Sequence, residues 1–430
     1  MKETKRMKDK QKDVKEKVII YALGYYWKNF FSKISAQYDV VACSDKNENA
    51  VAYAKGYPFV NPGQICDMCY DRIIIGGKSR GIREILVLQY GLPLNKIFYY
   101  DELFGSQMIK RKKRIRKHTQ HLTVVIPTYN RKQRLQRTLD ILELQSDGDF
   151  DIILLDNCSE YNVENVLDNK GEAFRNRVTV VHNKANIGMA ANLANAFIQK
   201  REGWVWMLAD DDMPTMYAVE DIYEEIEQCH DVGMIHFSIL DMSVYMGSNE
   251  KTFYSLHELM DFYEGILWRR EETDNFSGDF IYFSNKVYNM AYIKKYYEKI
   301  FYYAYSGIPQ LIPVLFMLDE GVAGMRISNK KVVGYESPEG DHWNWLKTIS
   351  GMRIITDFQL TLSQEDRKTF YRLIMSNYID RLLNNVDIND LDYAIRQIRK
   401  LYDEVYCHIL NDKEKDEYEL KIEALMEKNV

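Results

Sequence analysis

Short apolar runs rich in β-branched residues recur along the first half of this chain, separated by stretches of helical spacing. This alternation constrains the fold more than any single motif. Between Lys17 and Gly105, "KVIIYAL", "YDVVACSD", "DRIIIGG" and "NKIFYYD" read as strands, and "GGKSRGIREILVLQYG" reads as a helix closed by Gly91. From His121 the pattern starts again with "LTVVIPTYN", "FDIILLDNCSE", the strand of "VTVVHNKANIGMAANLANAF" and "WVWMLADDD". The segment "RKQRLQRTLDILELQ" carries Leu135, Leu139 and Leu142 on one helical face. Strands that succeed one another through helices form parallel sheets, so the expected class is α/β in both stretches. Pro127, with no N–H for a ladder, is expected to end its strand.

At 430 residues the chain exceeds one typical domain. The expected parts are a charged tail (1–16), a Rossmann-like domain (17–108), a basic linker (109–120), a second α/β domain (121–349) and a helical region (350–430). In the second domain "GMIHFSILDMSVYM" and "GDFIYFSNKVYNM" read as strands and "IPQLIPVLFML" as a core helix. In the last region Leu391, Ile395, Ile398, Tyr402 and Val405 recur at the spacing of a one-sided helix.

Composition excludes several classes. A net charge of -6 argues against a nucleic-acid binder, which needs a clustered positive field. Six irregularly placed cysteines suit a reducing, cytoplasmic setting; Cys66 and Cys69 form one CxxC without a second pair and read as half-buried thiols. The opening residues have no apolar signal core, and no apolar run is long enough to span a bilayer. The basic run "KRKKRIRKH" is either a solvated connector or a peripheral membrane contact through Lys110 to Lys117, each basic residue then contributing about 1 kcal/mol at an anionic surface. Gly24 and Asp45 stand where a dinucleotide fold keeps its first glycine and ribose acid, but two glycines of that fingerprint are missing, which favours a scaffold or partner surface.

In open α/β sheets ligands lie beyond the carboxyl ends of the strands. Here those ends carry Thr128 and Asn130, Asp156 and Asn157, Asn186 and Gly188, and Asp210 to Asp212. Three adjacent carboxylates repel one another and need compensation. They could cap a helix whose first turn includes Pro214, or form part of a phosphotransfer site, for which no DxDxT pattern is present. The third reading is a divalent cation site, since hard cations take oxygen ligands and leave positions for a diphosphate.

Taken in order, "VVIPTYNR", "LLDNCSE", "NKANIGMAANLANAF" and "WVWMLADDD" resemble the nucleotide-sugar half of family-2 inverting glycosyltransferases with the glycosyltransferase A fold, over residues 121 to 345. The resemblance implies that Pro127, Thr128, Tyr129 and Asn130 line base and ribose. It implies that Asp156, with Asn157 beside it, reads the base edge, usually uracil. Asn186 and Gly188 pass close to the sugar nucleotide, and Asp210 to Asp212 match the DXD element: Asp210 and Asp211 facing the donor, Asp210 and Asp212 holding Mn²⁺ or Mg²⁺, with a register open by one residue. Asn157 and Cys158 stand where many members have a second aspartate and a glycine. Where the family often has a Glu-Asp pair supplying the general base, this chain has "SGIPQ". Asp279 is the candidate base, with Asp319, Glu320 and His342 as alternatives. The implied activity is metal-dependent, inverting transfer from a UDP-sugar or similar donor to a saccharide or lipid-linked acceptor; the alternative is a non-catalytic sugar-nucleotide-binding scaffold.

Overall fold

The computed structural model describes residues 15–23, 27–76, 82–93, 96–100, 103, 117–239, 250–267, 279–334, 351–375 and 391–427. The tail through Val14, the basic run Lys110–Arg116 with the expected membrane contact, Gly24 and His342 lie outside the described residues. The chain divides into two compact units, residues 1–112 and 113–430.

In the first unit, β1 (Lys17–Tyr21), β2 (Asp39–Ser44), β3 (Phe59–Val60), β4 (Arg72–Ile75) and β5 (Ile97–Tyr99) form a parallel sheet in the order β3-β2-β1-β4-β5. Successive residues of β1 point to opposite faces: Val18 and Ile20 enter one core with Ile34, Ile19 the other with Ile65 and Leu86. The two-residue β3 is too short to show a pattern in the sequence. Asp45 spends its carboxylate on the chain itself, accepting the Leu23 N–H at 2.6 Å and the Asn47 N–H at 2.9 Å. Cys66 and Cys69 are exposed rather than half-buried. The turn Pro62–Asp67 buries Pro62 and Ile65 instead.

The second unit holds β6 (Leu122–Thr128), β7 (Phe150–Asp156), β8 (Val178–His182), β9 (Trp204–Met207), β10 (Met213–Pro214), β11 (Val232–Ile239), β12 (Lys251–Phe253), β13 (Lys286–Asn289) and β14 (Gly324–Gly334). Among the described residues these make one mixed sheet in the order β10-β14-β11-β13-β9-β6-β7-β8, with β12 added on β14. The block β9-β6-β7-β8 is parallel and β13 is antiparallel to both its neighbours, the arrangement of a glycosyltransferase A fold. The helix Lys132–Glu143 buries Leu135, Leu139 and Leu142 as expected, and Ile312–Asp319 is buried almost all round.

Three local expectations change. Pro127 does not end its strand, for Thr128 still pairs with Asp156. The Thr128 carbonyl accepts from Asn157 N–H on the β7 side, so the missing Pro127 donor faces the β9 side, where pairing stops at Val125↔Met207. Pro214 sits in the edge strand β10 opposite Val333, and the next helix begins only at Ala218. The stretch "GDFIYFSNKVYNM" starts as a short helical turn at Asp279–Ile281 and becomes strand only at Lys286. The helices Gln364–Met375, Leu391–Leu401 and Asp412–Glu427 bury Phe370, Leu373, Ile398 and Ile422 in the same core as Val125 and Met207. An amphipathic helix is marginal unless its apolar stripe is covered, and here the sheet domain contributes to the cover. Among the described residues no helix is long and apolar enough to cross a membrane.

Candidate active site

Strands β7 and β8 follow β6 on one flank, whereas β9 returns to its other flank, so the strand order reverses between β6 and β9. A reversal of this kind opens a crevice beyond the carboxyl ends of the two strands. One end releases Thr128–Arg131 and the other Asp210–Asp212, and the side chains meet. Thr128 donates through Oγ1 to Asp210 Oδ2 at 2.7 Å. The Arg131 guanidinium donates to Asp210 Oδ1 at 3.2 Å and to Asp211 Oδ2 at 2.7 Å, and Arg134 reaches Asp211 at 3.5 Å. The Thr138 hydroxyl lies 3.0 and 3.2 Å from the carbonyl oxygens of Asp210 and Asp212, stapling the acid turn to the helix Lys132–Glu143.

Part of the compensation for the three acids therefore comes from within the fold. The pairing of Arg131 with these acids arises only because β6 and β9 are neighbours. Burial pushes the Asp210 carboxyl up to about 6 despite the opposing pull of Arg131. Burial, then the adjacent Asp211, pushes Asp212 up to about 7. A hard divalent cation nearby would stabilise such buried carboxyls in the ionised form.

One strand further along, Thr128, Asp156 and His182 share a row, paired Thr128↔Asp156 and Asp156↔His182. Asp156 is 3 % exposed; its Oδ1 accepts the Ser159 N–H at 3.0 Å and its Oδ2 lies 2.9 Å from His182 Nδ1. His182 Nε2 is 2.9 Å from Glu164. Hydrogen bonds to Glu164 and then Asp156 raise the imidazole above its ordinary value of 6.5. Asn130, in the left-handed region at φ 55°, donates its N–H to Ser159 Oγ at 3.0 Å and accepts Glu160 N–H at 2.8 Å, linking the first two strand ends. Tyr129 is 39 % exposed at the same turn.

Asn157 is buried and supports the loop beside it. Its Nδ2 donates to Asn186 Oδ1 at 2.8 Å, and its Oδ1 accepts from Ile187 N–H and Asn183 Nδ2, both at 3.0 Å. Asn183 also bonds Asn192 and Asn195, and Asn186 Oδ1 accepts the Gly188 N–H at 2.9 Å. Gly188, at φ 82°, turns the chain into the helix Met189–Phe197, a conformation in which a side chain is strained.

The sequence candidate for the general base is Asp279. It is 2 % exposed, with Oδ2 2.7 Å from His236 Nε2 and Oδ1 accepting from Asn285 Nδ2 at 3.1 Å. A general base has to reach the hydroxyl it deprotonates, and this carboxylate faces buried partners. Asp319 accepts the Thr361 N–H at 2.9 Å, and Glu320 the Tyr296 hydroxyl at 2.9 Å. The structure thus brings Thr128, Asn130, Asp156, Asn157, Asn186, Gly188 and the three aspartates to adjoining strand ends, and sets Asp279 in another network. Arg131, His182 and Ser284 were not singled out from the sequence; their register against acidic neighbours is their signal, and it is tertiary.

Residues 123–301 match the family model described as glycosyl transferase family 2, and residues 14–98 match one described as C2185-like, N-terminal. Residues 123–301, less than half of the chain, are therefore similar to the family-2 glycosyltransferases. An uncharacterized glycosyltransferase of Haemophilus influenzae is 32% identical over 116 residues, which span 27% of this chain and 37% of that relative. The crystal structure of S. aureus TarS 1-349 in complex with UDP-GlcNAc is 15% identical with a TM-score of 0.46, covering 66% of this chain and 81% of that one. The mannosyltransferase PcManGT from Pyrobaculum calidifontis, in complex with GDP-Man and Mn²⁺, is 11% identical with a TM-score of 0.38, covering 73% and 88%.

Proposed function

We propose that this protein is a metal-dependent, inverting hexosyltransferase that moves a sugar from a nucleotide-diphosphate donor, a UDP-sugar, to a saccharide or lipid-linked acceptor of a surface polysaccharide. The observation that carries the reading is the crevice at the strand reversal of a family-2 domain, where Thr128, Arg131 and three aspartates converge next to Asp156. Asp156 and the Asn130–Ser159 turn would bind the nucleoside, with Pro127 and Thr128 of β6 beside them and Tyr129 as an exposed ring for the base. The asparagine-braced loop with Gly188 would close on the sugar and diphosphate. Asp210, supported by Thr128, and Asp212 would hold the metal, which when bound stabilises the charge developing on the leaving diphosphate. In this scheme Arg131 keeps Asp210 and Asp211 compensated between turnovers. Contact of Lys110 to Lys117 with an anionic membrane surface would bring the chain to a lipid-linked acceptor.

A panel of nucleotide sugars incubated with the protein and Mn²⁺ tests the reading through release of nucleoside diphosphate, which needs no acceptor. One donor should turn over only with metal, and Asp212→Asn should lower the rate roughly a hundredfold or more. The scaffold reading is favoured by one observation, the buried engagement of Asp279 in a chain whose Ser306–Gln310 segment lacks a carboxylate. Calorimetric binding of a donor with no turnover, even with saccharide acceptors present, would establish that reading instead.

A further inference from the structure

The residues just before β13 carry a connection that the donor-site reading does not use. Ser284 is fully buried, and its hydroxyl bridges two points of the acid turn: it donates to Asp212 Oδ2 and accepts the Ala209 N–H at 2.9 Å. Its carbonyl accepts the Trp206 indole N–H at 2.7 Å. One residue thus grips the last strand before the acids, the approach to them and the third acid itself. Tyr282, two residues earlier, is half-buried and hydrogen-bonds Asp212, and desolvation raises its phenol well above the ordinary value of 10.0.

Behind Ser284 lies a buried polar network. Asn285 donates to the Phe237 carbonyl at 3.0 Å and to Asp279 Oδ1 at 3.1 Å. Lys286 Nζ donates to Asn285 Oδ1 at 2.9 Å, to the Asp279 carbonyl at 3.3 Å and to the Tyr282 carbonyl. His236 completes it against Asp279. A buried ion pair is weak evidence of added stability, whereas these hydrogen bonds tie residues 279, 282, 285 and 286 to one another. What this network fixes is the path of residues 282–286, and so the place of Ser284.

We propose that Ser284 is a positioning residue for Asp212, held by the buried Asp279–His236–Asn285–Lys286 network, which sets the orientation in which that carboxylate would meet a divalent cation. The inference rests on the proposed metal-dependent transfer and deepens it. Outer partners of this kind set the orientation of a metal ligand, and their loss lowers metal affinity about 10–100-fold.

The test titrates Mn²⁺ alone into the full chain, reading free Mn²⁺ by electron paramagnetic resonance, for the wild type, Ser284→Ala and Asp212→Asn, with folding followed by circular dichroism. Ser284→Ala is expected to weaken Mn²⁺ binding about tenfold or more and to raise the Mn²⁺ needed for half-maximal donor hydrolysis, with kcat at saturating Mn²⁺ nearly preserved. If alanine prevents folding, Ser284→Cys keeps the volume with a weak donor and takes its place. A folded Ser284 variant that binds Mn²⁺ as the wild type does overturns the proposal and leaves the functional reading standing. A wild type that binds no Mn²⁺ overturns both.

Discussion

Asn157 stands where many family members carry an acid, and its two-ended amide does what a carboxylate cannot: it donates to Asn186 and accepts from Asn183 and the Ile187 N–H. Asn157→Ala would leave those groups without their partner in a buried site, at about 1–3 kcal/mol. The expected outcome is a lower melting temperature together with a higher KM for the donor, seen by calorimetry and steady-state hydrolysis; an unchanged KM would detach the network from the donor loop. His182 makes a pH-dependent contribution whose sign follows from its partners. Its value in the fold is raised above 6.5 by Glu164 and Asp156, so the stability it adds is fully present below 6.5 and is lost as pH rises through the folded value. The difference in melting temperature between wild type and His182→Gln should therefore be largest near about pH 6 and shrink toward about pH 8. A difference that grows with pH would contradict the assignment.

At the scale of elements, the crevice depends on two supports. The helix Lys132–Glu143 carries Thr138, which staples the acid turn, and Leu139, which is fully buried in the core with Leu135 and Leu142. Leu139→Ala should cost about 2–5 kcal/mol in urea unfolding. The second support is the start of β9. Gly203 adopts φ 76°, and a Cβ there would lie 2.6 Å from the His121 carbonyl oxygen, so Gly203→Ala meets backbone that cannot yield easily. Its expected cost is about 1–3 kcal/mol, and a variant as stable as wild type would mean that β6 and β9 are less tightly registered than described. Both elements were legible from sequence because their signals are local: a leucine face at helical spacing and an apolar run ending in charge. Where a strand began after residue 279 was not legible, because the buried polar segment Tyr282–Lys286 is patterned by its partners in β11 and the acid turn rather than by the pleat.

At the scale of the molecule, the second unit has its own continuous sheet, and residues 113–430 expressed alone are expected to unfold cooperatively and to retain donor hydrolysis. Loss of a cooperative transition in that fragment would show that the first unit is needed for folding. The sequence by itself determined the two α/β patterns, the strand ends that carry polar residues and the acid cluster, since periodicity and terminal chemistry are properties of neighbouring residues. The tertiary structure decided what those residues do. Sheet order put Arg131 against Asp210 and Asp211, register put His182 against Asp156, packing set Asp279 against His236, and the antiparallel return of β13 set Ser284 under Asp212. Each of these pairs is separated by tens of residues along the chain, and only the packing of the sheet brings such distant groups within hydrogen-bonding reach.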